Sequence, residues 1–208
     1  MSSNGAPPTS SAPSAPPPVV RRLEGAEAQV LTELAGTFED LQMVLLCCER
    51  LVTALAAQPD EVVVEALWTT AMLSYARAFA PDTGSALTEE DLAATNLEGD
   101  LVEWHHMLMR LRDHHADPVI NPREIFSVGV AQDAQGAANG VAITSARQPV
   151  VDDLTVRQTG AIAYALSQLV NDRIEAQQKE VLARLEGTTR AELDKLVRLD
   201  VIDPTAGP

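Results

Sequence analysis

Aromatic side chains make up only 3% of this 208-residue chain, and lysine occurs just twice, at Lys179 and Lys195. A core with so little Phe, Tyr and Trp has to be built from Ala, Leu and Val, which favours packed helices over an aromatic-rich β-sandwich. Basic residues number 15 against 30 acidic ones, for a formal net charge of −15. Neutralising nucleic-acid phosphates takes a Lys/Arg surplus, so bulk DNA binding is excluded, while a small local basic site is not. Cysteine is equally sparse. Cys47 and Cys48 are adjacent in the apolar run from Leu41 to Cys48. Neighbouring cysteines rarely bridge and two make no metal site, so both read as small core residues in a reducing compartment.

Targeting signals are missing as well. No basic start leads into an apolar stretch, and the twin arginine Arg21-Arg22 is followed by Leu23-Glu24-Gly25-Ala26-Glu27 where a hydrophobic segment would be required. No uncharged run in the central part reaches the ~20 apolar residues of a spanning helix. The expectation is a cytoplasmic chain without a membrane partner.

What is present is mostly helical periodicity between two irregular ends. Residues 1–19 form a Pro/Ser/Ala-rich tract with too little apolar surface to offset ordering entropy, and read as a disordered tail. Residues 201–208 read as a flexible C-terminal end, leaving 20–200 as a single domain. Apolar spacing predicts helices over Leu23 to Ala35, Phe38 to Ala57 and Glu61 to Ala80, with Gly36-Thr37 as a break and Thr37/Asp40 as a cap. In the third, Val63, Ala66, Leu67, Ala71, Tyr75 and Phe79 trace one face. A short turn opens at Thr88-Glu89-Glu90-Asp91, and a longer helix runs to His115. Strand-like spacing then appears in Ile125–Val130 and Val141–Ser145, a hairpin of about 125–146 with Asn139-Gly140 as its turn signal. Helical spacing resumes from Leu154 to Gly187, and Thr189 with Glu192 caps a last helix over Arg190 to Arg198. The predicted fold class is mainly α: a compact helical bundle with one inserted β-hairpin.

All four histidines lie within eleven residues, His105, His106, His114 and His115. On a helix, Leu101, Trp104, Leu108 and Leu111 form the buried stripe, with His115 next in that series, and Glu103, His106, Arg110 and Asp113 or His114 form an adjacent polar face. No His-x-x-x-His pair exists, so neither a metal nor any other cofactor is expected. Nucleophile elbows and phosphate-binding glycine loops are absent too. Arg110 and His115 spell Arg-x4-His. An arginine can hold a scissile phosphate and a histidine can move the 2′-hydroxyl or leaving-group proton. A two-fold dimer would set two such pairs over one cleft. The plainer reading pairs Arg110 with Glu103 or Glu90 and lets His115 cap the helix C-terminus.

The runs Leu67-Trp68-Thr69-Thr70-Ala71-Met72-Leu73-Ser74-Tyr75-Ala76-Arg77-Ala78-Phe79 and Leu108-Met109-Arg110-Leu111-Arg112-Asp113-His114-His115-Ala116-Asp117 resemble HEPN-like bacterial proteins. In many of these a helix carrying Tyr-Ala-Arg-x-Phe precedes one ending in Leu-Arg-Asp-Lys-His-x-Ala-His, followed by a hairpin and a long helix. The resemblance covers about Phe38 to Leu185. It implies a dimerising helical bundle, catalytic members being metal-independent RNases with an Arg-x4–6-His motif in toxin–antitoxin, phage-defence or RNA-processing systems, and other members being inactive binding or scaffold modules. Aligned on Arg112-Asp113, the final histidine is replaced by Asp117, Pro118 or Val119. Read from Arg110, His115 completes the spacing, but Leu111 stands where a polar neighbour belongs. The expected function is therefore a non-catalytic HEPN-like homodimer that binds a protein or RNA. The alternatives are a metal-independent RNase using Arg110 or Arg112 with His114 or His115, and an acidic helical adaptor for a basic protein.

Overall fold

The computed structural model describes residues 19–57, 60–80, 84–148 and 150–200; the expected tail and the C-terminal end lie outside them, apart from Val19. In chain order the elements are β1 (Val20–Arg21), α1 (Ala26–Leu55), α2 (Glu61–Ala78), α3 (Glu89–Ala94), α4 (Leu101–Ala116), β2 (Glu124–Gln132), β3 (Ala138–Arg147), α5 (Asp153–Leu185), α6 (Arg190–Leu193) and β4 (Arg198–Leu199). Helix α1 packs between α2 and α5, α4 lies against α2, and α3 touches both α4 and α5. The predicted helical bundle with an inserted hairpin is the observed fold. No helix among the described residues is long and apolar enough to cross a membrane.

Three buried stripes explain this packing. Leu34, Thr37, Leu41, Val44, Cys48 and Leu51 on α1 follow alternating three- and four-residue steps. So do Val64, Trp68, Ala71, Tyr75 and Ala78 on α2, and Val156, Thr159, Ala163, Leu166 and Val170 on α5. That spacing keeps one seam facing its neighbour along the helix. It also corrects the predicted break at Gly36-Thr37. The α1 seam runs straight through it, with Thr37 itself buried, and Asp40 does not cap but binds Arg77 Nε at 2.8 Å across to α2. The predicted face of α2 holds at Ala71 and Tyr75, which are buried, but its start is turned: Val63 and Ala66 are exposed, and Val64 and Trp68 are inside. Where α1 crosses α5, a Cβ on Gly160 would meet the Cys48 Cβ at 3.4 Å, so the missing side chain lets the two backbones approach. Both cysteines are buried free thiols, and burial pushes Cys48 up to about 12.

The ends of the bundle are tied by polar contacts. Asp60, Asp100 and Asp152 each cap a helix, accepting from the backbone N–H groups of Val62, Glu103 and Thr155. Thr189 caps α6 with Glu192 as the sequence predicts, and Thr88 opens α3 with a capping box of the same kind, formed with Asp91. The last helix is shorter than the predicted Arg190 to Arg198, because the chain turns into β4 and pairs antiparallel with β1. Arg21, half of the twin arginine, makes this turn hold: its guanidinium donates to the Leu196 carbonyl at 2.8 Å and pairs with Asp194 at 2.6 Å.

The hairpin strands are antiparallel and pair Phe126 with Ser145, Val128 with Ile143 and Val130 with Val141. The turn is not at Asn139-Gly140, which lie inside β3. Asp133 makes it instead: its carboxylate accepts from the Gln135 and Ala137 N–H groups at 3.0 and 2.9 Å, and Gly136 takes φ +85°. An Asx turn followed by a left-handed glycine satisfies more backbone donors than the two-residue Asn-Gly turn, and the extra residue appears as a bulge after Ala131.

Candidate functional site

Helix α4 begins at its Asp100 cap and runs unbroken through all four histidines, and its amphipathic twist sorts them into different surroundings. His105 is buried. Its Nδ1 lies 3.1 Å from the Tyr75 hydroxyl and its ring centroid 4.4 Å from that of Phe79. Burial, with nearby His106, lowers the His105 pKa below the ordinary histidine value, while Glu89 opposes the shift. His106 faces outward and binds Glu89 at 2.8 Å. The predicted buried stripe is met by Leu108, with Leu101, Trp104 and Leu111 half-buried, and His105 is the core residue that the stripe missed.

At the other end of α4, His114 and His115 stand edge-on with ring centroids 6.1 Å apart. His115 Nδ1 is 2.9 Å from the Leu111 carbonyl, which can only accept, so this nitrogen donates and closes the last turn of the helix. Arg110 points elsewhere. Five residues of α-helix separate it from His115 by about 140° around the axis. Its guanidinium is held by Glu103 at 2.8 Å, both side chains being largely exposed. This is the pairing that the plainer sequence reading named. Arg112 binds Asp113 at 2.6 Å, and its Nε is enclosed without a hydrogen-bond partner. Arg110 and His115 therefore share a helix but not a surface.

His114 and His115 instead line a cavity of about 260 Å³ enclosed by the end of α4, the first turns of α2 and the foot of the hairpin. Two guanidiniums that the sequence reading did not single out complete it, Arg123 and Arg147, placed on either side of the hairpin base. Each is already engaged. Arg123 grips Glu65 through Nε at 2.9 Å and Nη2 at 2.6 Å, and Arg147 Nη1 reaches both Glu61 oxygens at 2.7 and 3.0 Å. These pairs strap the hairpin to α2. To hold a phosphate, either arginine would have to release a charge-assisted carboxylate contact. The signal available in the sequence was only that two arginines flank an alternating strand pair.

Above the cleft the hairpin is bare. Phe126, Val128, Val130, Val141 and Ile143 share one face and are 56–76% exposed. The opposite face carries Ser127, Gly129, Ala131, Gly140, Ala142 and Thr144, together with Ile125 and Ala146. Among the described residues, no group of three or more His, Cys, Asp or Glu side chains is placed to hold a metal ion. Comparison of the chain with family models, curated proteins and solved structures returns no match.

Proposed function

We propose that this chain is a non-catalytic, HEPN-like binding module that acts as a homodimer in a reducing compartment. The observation that carries the reading is the hairpin, which presents a face of large apolar side chains to solvent. Contiguous apolar surface of this size is rare on a monomer and marks a place where another macromolecule sits. The dispersal of the Arg-x4-His residues supports the non-catalytic half: Arg110 is neutralised by Glu103, and the His115 Nδ1 proton is spent on the helix end. Two buried, protonated thiols fit the compartment.

Sedimentation of the full chain tests the reading. The expected result is a dimer that dissociates on dilution; a strict monomer at every concentration overturns it. A metal-independent RNase is the second reading, favoured by one observation, that His114 and His115 share a cleft with Arg123 and Arg147. Cleavage of RNA in the presence of a chelator distinguishes the two.

A further inference from the structure

A two-stranded hairpin standing alone in water is marginally stable, and sheets persist when a further layer covers their apolar face. Strands β2 and β3 are nine and ten residues long, and the arm they make projects about 30 Å at the usual rise per residue. Neither packs on any helix beyond its foot. The register nevertheless sorts the side chains much as a half-buried sheet would: five large β-branched and aromatic residues on one side, and small or polar ones, with Ile125 at the foot, on the other. The pattern is that of a sheet with a covered face, and among the described residues nothing covers it.

From this we infer that the cover is a second copy of the same face. Two hairpins stack through Phe126, Val128, Val130, Val141 and Ile143 about a two-fold axis, making a four-stranded, two-layer sandwich. This rests on the homodimer reading above and names the surface that serves it.

Three observations favour a second copy over a foreign protein. The first is area. At the exposures seen, the five side chains present roughly 600 Å², the upper limit for the largest patch of a typical monomer. Two such faces bury about 1,200 Å², where stable specific interfaces begin. The second is shape. A flat, β-branched surface packs best against another sheet at ~10 Å, and among the described residues the only other sheet is the two-residue pair of β1 and β4. The third is charge. Two copies of a chain at −15 repel, so they can meet only where acids are absent or neutralised. The face has no charged side chain from Phe126 to Val130 or from Val141 to Ser145. Its nearest acids sit at the two ends of the arm: Glu124 at the foot, where its strand partner is Arg147, and Asp133 in the turn, where its carboxylate accepts from two backbone N–H groups. A basic partner would find nothing on this face to pair with.

The test uses the full chain and two double variants, V128E/I143E and V128K/I143K, followed by sedimentation velocity and circular dichroism. Each variant alone should be monomeric with the helical signal of the wild type, because the substitutions touch no bundle residue. An equimolar mixture of the two should restore the dimer, since unlike charges then face each other across the stack. S127E/T144E, altered on the opposite face, should stay dimeric and shows that mere damage to the hairpin is not being read. Raising NaCl from 50 to 500 mM should tighten the wild-type dimer by screening the repulsion. A wild-type monomer overturns the homodimer reading and this inference together. A dimer that survives in V128E/I143E, a mixture that fails to associate, or a dimer loosened by salt overturns the inference and leaves the homodimer reading standing.

Discussion

The Tyr75 hydroxyl and the His105 Nδ1 meet 3.1 Å apart inside the bundle, where α2 and α4 cross beside Phe79. One of the two donates and the other accepts: a neutral imidazole can take either role at Nδ1, while an imidazolium can only donate there and would carry its charge in a buried site. The contact gives the fold a dependence on pH. His105 is lowered by burial in the folded state, so the unfolded chain binds its proton first as pH falls. The contribution is intact above the unfolded histidine value of about 6.5 and is lost as pH drops from there through the lower folded value. Thermal melts between pH 8 and pH 5 should show the wild type losing stability below that point. H105Q keeps a polar partner for Tyr75 but cannot titrate, and should lose less over the same window. Parallel curves would place the pH dependence elsewhere.

The uninterrupted α1 seam makes a second, opposite prediction. Gly36 sits within the helix, and nothing lies within 4 Å of where its Cβ would be. Gly36→Ala should therefore stabilise by about 0.5–1 kcal/mol, read from urea unfolding, because alanine loses less backbone entropy in a helix. Gly36→Pro should destabilise by about 3 kcal/mol or more. If the chain bent at Gly36-Thr37, the alanine gain would vanish and proline would be tolerated.

That residue pair also shows where sequence reasoning succeeds and where it stops. Helix existence was legible throughout, because apolar residues recur at three and four. Boundaries failed where a local signal competed with a longer pattern: Gly-Thr resembles a stop and a cap, yet burying Leu34 and Leu41 on one seam overrides it. Asn139-Gly140 lost to Asp133 and Gly136 for a related reason, since cross-strand pairing of Val128 with Ile143 sets the register before the turn is chosen. The histidine cluster was visible as a cluster, but its meaning depends on azimuth, and one residue of error moves a side chain by about 100°. Arg123 and Arg147 were unreadable as neighbours because their proximity comes from hairpin closure.

Asp91 caps its own helix α3, ties it to α5, and should be among the most sensitive polar positions. It is buried, accepts from the Thr88 N–H at 2.9 Å in the α3 capping box, and pairs with Arg173 of α5. Asp91→Ala should cost about 2–3 kcal/mol, since it removes a cap and an ionic acceptor together. Asp91→Asn retains an acceptor for the cap and should cost less. Equal losses in denaturant melts would assign the whole effect to the charge.

The final expectation concerns chemistry at the end of α4. Arg110 and Glu103 are both more than 60% exposed, and such pairs contribute between about 0 and 1 kcal/mol. Arg110→Ala should thus leave stability nearly unchanged. With the guanidinium and the imidazole about 140° apart on one helix, it should also leave any action on RNA unchanged. The chelator-treated wild type should cleave RNA no faster than buffer, and R110A and H115A should match it. The informative exception is selective loss. Cleavage abolished by H115A and R147A yet retained by R110A would locate catalysis in the cleft at the hairpin foot, where Arg147 would have exchanged Glu61 for a phosphate, and the non-catalytic reading would be reversed.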